Sequence, residues 1–149
     1  MSKEEIEAAF PTLRSGSYRV TSLETPRYNC VAWAAGDDSR WWQPLPDEPW
    51  CYWLDGVPRD FTSESYVRLF EAQGFEVSET ADPENGLEKI AIYTVDGEFS
   101  HVTRQLEAGQ WSSKLGEWED IEHGTLSDLE GVYYGFVSYI LSRRRQELA

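Results

Sequence analysis

The sequence predicts an α+β fold in which short N-terminal helices pack on an antiparallel β-meander. Three observations point there. Helix capping signals and 3.6-residue apolar spacing fall in the first half of the chain and end at Gly74. Period-2 alternation, broken by Asp-Gly and Ala-Gly turns, occupies much of the second half. Hydrophobic residues make up 40% of 149 residues and aromatics 14%, enough for one domain, residues 1–149, around one core.

Ser2 caps a first helix, with Glu5 three residues on as its capping-box partner, and Pro11 ends it. A Ser-, Thr- and Pro-rich loop runs to Arg27. A short apolar helix follows, Tyr28-Asn29-Cys30-Val31-Ala32-Trp33-Ala34-Ala35, closed by Gly36 as a left-handed C-cap. Two starts fit this helix: Asn29 caps it, or Thr25 caps it with Pro26 at the first helical position. Arg40 to Pro58 carries four Pro and four Trp, a density that forbids a regular helix or a central strand. This segment reads as a long loop, either a binding lid or a packed cover. Thr62 or Ser63 then caps a helix in which Tyr66, Leu69 and Phe70 share a face, and Phe75-Glu76-Val77 begins a short strand.

Lys89 to Val95 and Phe99 to Leu106 form a hairpin about Asp96-Gly97, and Trp111 opens a third strand after Ala108-Gly109. Thr125 to Glu130 is a helical turn closed by Gly131. Val132 to Arg145 is an aromatic strand or a final helix, its apolar run fitting both.

The formal net charge is −14. Nucleic acid and anionic membrane surfaces are therefore not expected as partners, since both are bound through clustered Lys and Arg. The one basic run, Arg143-Arg144-Arg145, reads as a solvated helix end. A basic protein partner fits the charge. Met1 to Ala9 lacks the apolar core of a signal peptide, and no segment is long enough to span a membrane. With only Cys30 and Cys51, a disulfide framework is not the natural reading, and a cytoplasmic protein with reduced thiols is expected. No pair among Cys30, Cys51, His101 and His123 has the short spacing of zinc motifs, so neither metal nor cofactor is expected. His123, after Glu119, Asp120 and Glu122, reads as a loop histidine in a solvated acidic stretch.

Chemistry is concentrated in two residues. Cys30 falls at the start of the short helix, where the dipole and free N–H groups favour a thiolate. His101 falls on the hairpin strand and is the type of base a thiol needs to become a nucleophile. From His101 the chain continues Val102-Thr103-Arg104-Gln105-Leu106-Glu107-Ala108-Gly109-Gln110-Trp111-Ser112-Ser113, placing a polar Ser113 on the next strand.

A helix with an N-terminal Cys, followed by a meander bearing His-Val, resembles the papain-like cysteine peptidase superfamily, and within it the compact NlpC-like amidase branch. Trp111-Ser112-Ser113-Lys114-Leu115-Gly116 is also similar to a W-x-S-K-x-G run of toxin-linked relatives with that fold. The resemblance covers Tyr28–Gly36 and Phe99–Gly116. Two departures stand out: the family places His, Asn or Asp where Ser113 stands, and Asn29-Cys30-Val31 replaces its Asp-Cys-Ser. The resemblance implies a cysteine hydrolase or acyltransferase acting on an amide or ester of a small molecule or peptide. Cys30 would be the nucleophile, His101 the base and Ser113 the acceptor orienting the imidazole. The Cys30 N–H with Tyr28 or Asn29 would stabilise the oxyanion, a donor of that kind being worth ~3 kcal/mol, and Trp33 and Lys114 would flank the substrate. The plain alternatives remain beside it. Cys30 also reads as a small core residue, His101 as a satisfied buried histidine, and Cys51 as structural. The same fold could serve as an acidic, immunity-type protein that binds a cationic partner without turnover.

Overall fold

A computed structural model describes residues 2–16 and 18–145. Helix α1, Lys3–Ala9, opens with the predicted capping box: Ser2 Oγ accepts from the Glu5 N–H at 3.1 Å, and Glu5 accepts from the Ser2 N–H at 3.1 Å. Pro11 starts a 3₁₀ turn, Pro11–Arg14. Helix α2 spans Cys30–Ala34, and of the two possible caps Asn29 is the one used. Helix α3, Ser63–Glu71, is capped by Thr62 and buries Tyr66, Leu69 and Phe70 on one face, as their spacing dictates.

Among the described residues nine strands accompany these helices: β1 Tyr18–Val20, β2 Trp41–Trp42, β3 Cys51–Tyr52, β4 Glu76–Ser78, β5 Leu87–Val95, β6 Glu98–Gln105, β7 Trp111–Lys114, β8 Asp120–His123 and β9 Phe136–Arg144. Seven form an antiparallel sheet in the order β1-β8-β7-β6-β5-β9-β4. The fold is thus mixed α+β with few, short helices. Asp96 and Gly97 both take positive φ (50° and 81°), the backbone of a tight hairpin whose twist matches its strands.

Apolar side chains divide into two clusters because successive residues of a strand point to opposite faces. Ile90, Ile92 and Val102 pack with α2, α3 and the Trp-rich segment. Tyr93, Leu115 and Ile121 pack with Ile6, Phe10 and Leu13. Helix α2 lies on β6 and β7, which brings the thiol-bearing turn to the middle of the sheet.

Three expectations are corrected and one open alternative is resolved. Tyr18–Val20 and Asp120–His123 are strands, pairing with each other as β1 and β8, where a loop and a solvated acidic stretch were expected. Ile121 anchors β8 in the core while Glu122 faces outward to Arg19 at 2.9 Å, so the acidic residues mask an ordinary alternation. Val132–Arg145 resolves to strand β9 from Phe136 onward, inserted between β5 and β4. The arginine run is accordingly no helix end. Arg143 pairs with Glu88 across the β5–β9 register, donates to the Gln73 carbonyl at 3.0 Å and lies over Phe75 at 4.4 Å. Within 40–58, β2 and β3 form a two-residue parallel pair; Trp42 and Trp53 are buried, whereas Trp50 is exposed.

Gly135 precedes β9 with φ +73°, and a Cβ there would stand 2.0 Å from the Thr94 carbonyl oxygen. Gly36 also has positive φ (+87°) but open space around it. Gly36→Ala should cost about 1 kcal/mol, the left-handed backbone alone. Gly135→Ala should cost at least about 2 kcal/mol, since strain and overlap add. Urea midpoints of the two variants check the order.

Candidate active site

Cys30 is the first residue of α2 and is buried in the same apolar cluster as Val102, the residue after His101. The backbone N–H groups of Val102, Val31 and Cys30 itself favour its thiolate electrostatically, with no hydrogen bond to the sulfur among the described residues. His101 occupies β6 with its side chain fully buried, opposite Tyr93. The Tyr134 ring stacks on the imidazole, with centroids 4.1 Å apart and planes 2° from parallel. Tyr134 belongs to a small loop closed by reciprocal hydrogen bonds between Gly131 and Gly135 (2.9 and 2.8 Å), whose tip, Val132 and Tyr133, is exposed.

His101 Nε2 lies 3.1 Å from Ser113 Oγ. The β6–β7 ladder pairs Arg104 with Ser112 and Gln105 with Trp111, and a side-chain bond continues the contact beyond it. Ser113 Oγ is also 2.7 Å from Thr103 Oγ1 and 2.9 Å from His123 Nε2. His123 Nδ1 lies 2.9 Å from the Thr125 carbonyl, and Thr103 donates to the Ser112 carbonyl at 2.9 Å. His101 Nδ1, by contrast, is buried and has no hydrogen-bond partner among the described residues. No hydrogen bond joins it to Cys30. Buried polar atoms are almost always paired, so an orphaned imidazole nitrogen is the kind of exception that marks chemistry.

The electrostatics correct the expected thiolate. Burial pushes the Cys30 thiol up to about 11, although the three N–H groups and the Lys114 cation pull the other way. A five-residue helix offers little dipole, and loss of water outweighs it. Burial, reinforced by His123, holds His101 well below the ordinary histidine range. His123 is lowered too, mainly by burial, with the Thr125 hydrogen bond and Asp128 opposing. At rest the thiol and both imidazoles are neutral; Cys30 packs with Val102 in the α2 cluster, whereas His101, opposite Tyr93, packs with Tyr134 of the other.

The remaining sequence candidates have structural partners. The Tyr28 hydroxyl donates to Asp120 Oδ2 at 2.6 Å. Asn29 Oδ1 accepts from the Ala32 and Trp42 N–H groups (both 3.2 Å), and its Nδ2 donates one proton to the Trp42 carbonyl at 2.7 Å, so the side chain is held as a cap and clamp. Trp33 donates to Ser112 Oγ at 2.9 Å beneath the Arg104 guanidinium, 3.9 Å from its ring. Lys114 is fully buried; it donates to the Thr25 carbonyl at 2.9 Å and to the Gly116 carbonyl, and acts on Cys30 through charge alone. Cys51 is a free, partly buried thiol on β3. Among the described residues no three His, Cys, Asp or Glu side chains gather as metal ligands would, and no helix is long and apolar enough to cross a membrane.

Thr103, His123 and Tyr134 escaped the sequence reading. Thr103 shares a strand face with His101 two residues away, a signal that was present. His123 alternates with Ile121 behind the Gly116 turn, also visible once β8 is recognised. Tyr134 had only its flanking glycines as a sign.

Residues 19–142 match the model of a family described as Domain of unknown function (DUF7689). No curated protein and no solved structure matches the chain.

Both histidines are depressed in the fold, so the unfolded chain takes up protons that the folded chain refuses once pH falls below about 6.5. Stability should be full above that pH and decline below it, the two sites together giving a slope that approaches ~2.7 kcal/mol per pH unit. His123→Phe should reduce the slope by about half. Denaturant titrations at pH 7.5, 6.5 and 5.5 measure it, and an unchanged slope in the variant would contradict the neutral assignment.

Proposed function

The match spans most of the chain, so the protein belongs to the DUF7689 family, and from that premise we propose that it is a papain-like thiol hydrolase or acyltransferase, NlpC-like in its site, acting on an amide or ester. One observation carries the reading. His101 is held at Nε2 by Ser113 while its buried Nδ1 is unpartnered among the described residues, and the next residue on its strand, Val102, shares a buried cluster with Cys30.

In this mechanism the Cys30 proton passes to His101 Nδ1 as the sulfur attacks the substrate carbonyl carbon. The negative charge moves to the carbonyl oxygen, where the Cys30 and Val31 N–H groups at the start of α2 are the nearest donors. The imidazolium then protonates the leaving amine or alcohol, the C–N or C–O bond breaks, and a thioester remains on Cys30. Water, or an acceptor nucleophile, releases the acyl group and restores the thiol. Substrate reaches the pair when the Gly131–Gly135 loop lifts Tyr134 from His101. Lifting also readmits water, removing the burial that holds the thiol at about 11 and leaving the three N–H groups and Lys114 to favour the thiolate.

Tyr134→Ala should therefore speed iodoacetamide labelling of Cys30 at pH 7.5 at least tenfold, because each unit of thiol pKa is a factor of ten in thiolate. Adding His101→Ala should lower that labelling again, by the share of thiolate that proton transfer to the imidazole supplies. Labelling indifferent to His101 in the opened variant would end this reading.

A second reading, binding without turnover to a basic protein, is favoured by the burial of Cys30 and by the charge of −14. It expects affinity for a cationic partner that falls steeply with salt and survives Cys30→Ala. Salt-independent affinity, or none for cationic surfaces, counts against it.

A further inference from the structure

The Ser113 hydroxyl has one proton and two claimants other than His101. Thr103 donates its own proton to the Ser112 carbonyl, which can only accept, so Thr103 Oγ1 receives at the 2.7 Å contact. His123 Nδ1 faces the Thr125 carbonyl, again a pure acceptor, so Nδ1 carries the proton and a neutral His123 offers Nε2 as a second acceptor at 2.9 Å. Whichever receives the Ser113 proton, Ser113 can meet His101 Nε2 only as an acceptor.

We propose that Thr103 and His123 are positioning residues that act through Ser113 to fix His101 as its Nε2–H tautomer, leaving Nδ1 as the lone pair available to a thiol proton. The proposal rests on the hydrolase reading for its purpose but not for its geometry. It also explains how serine serves at a place where the resemblance expects His, Asn or Asp. A lone hydroxyl can donate or accept and selects no tautomer, whereas one whose proton is taken from behind selects one. The two claimants are redundant. Losing one leaves the other, and losing both frees Ser113 to donate to Nε2 and drives the proton to Nδ1.

The chain has two histidines, so ¹⁵N–¹H correlation spectra of the imidazoles are simple to assign. In a Cys30→Ala chain at pH 7.5, His101 should show a protonated Nε2 and an unprotonated Nδ1, and His123 the reverse. Thr103→Val and His123→Phe singly should keep the His101 pattern; the double variant should invert it. A His101 protonated at Nδ1 in the parent chain overturns the proposal even if the double variant fails to fold, as does an uninverted pattern in a folded double variant. In the Tyr134→Ala background with Cys30 intact, the double variant should also lower labelling at least tenfold. Correct tautomers with an inert thiol would fell the hydrolase reading alone, and His101-dependent labelling untouched by the double variant would fell this one alone.

Discussion

Around Cys30 and His101 the fold excludes water, and the properties of the region follow from the cost of placing charge there. With a thiol held at about 11 and an imidazole held neutral, the thiolate–imidazolium pair of an activated cysteine is disfavoured in the resting molecule. The same exclusion makes each remaining polar contact count for more. The amides that favour the Cys30 thiolate and the bonds behind Ser113 act in a medium that screens them poorly. Water is kept from His101 by the Tyr134 ring lying flat on it, and from Cys30 by the cluster around α2.

Two cores meet at this point. Cys30 arrives with the cluster formed by α2, α3 and the Trp-rich cover, and Tyr134 with the cluster under α1. His101 stands between them on a strand whose ladder with β7 has stopped at Arg104. A sheet interior that ends its pairing early leaves room for side-chain bonds, and the polar residues Thr103, Ser113 and His123 fill that room instead of backbone. Asn29 joins the first cluster together: it caps α2 and clamps both backbone groups of Trp42. The start of α2 and the aromatic cover are thereby one mechanical unit.

Local signals carried much of the fold. Ser2 with Glu5, Thr62, and Asp96-Gly97 specify caps and a turn through contacts within three residues, so they are legible without tertiary structure. The β8 strand was hidden because Asp120 and Glu122 resemble solvent-facing residues, and only pairing with β1 and β7 reveals that Ile121 and His123 face inward. The ambiguity of 132–145 was resolved by a partner, since β9 is a strand through lying beside β5. In the site, Ser113 was named through the resemblance, and it lies 3.1 Å from His101. The thiol's ionisation was not, because it depends on burial beneath residues distant in the chain, and a capping position says nothing of that.

The outer strands of the sheet have a bearing on how copies of the molecule behave together. A row of unpaired backbone groups invites another chain to add a strand, and long, flat rows seed fibres. Here β1 and β4 are three residues each, and each carries an exposed charge at Arg19 or Glu76. Against a surplus of fourteen negative charges, a stray chain gains at most a few backbone bonds by docking while meeting repulsion everywhere else. Short charged borders and a like-charged surface thus disfavour strand exchange between copies.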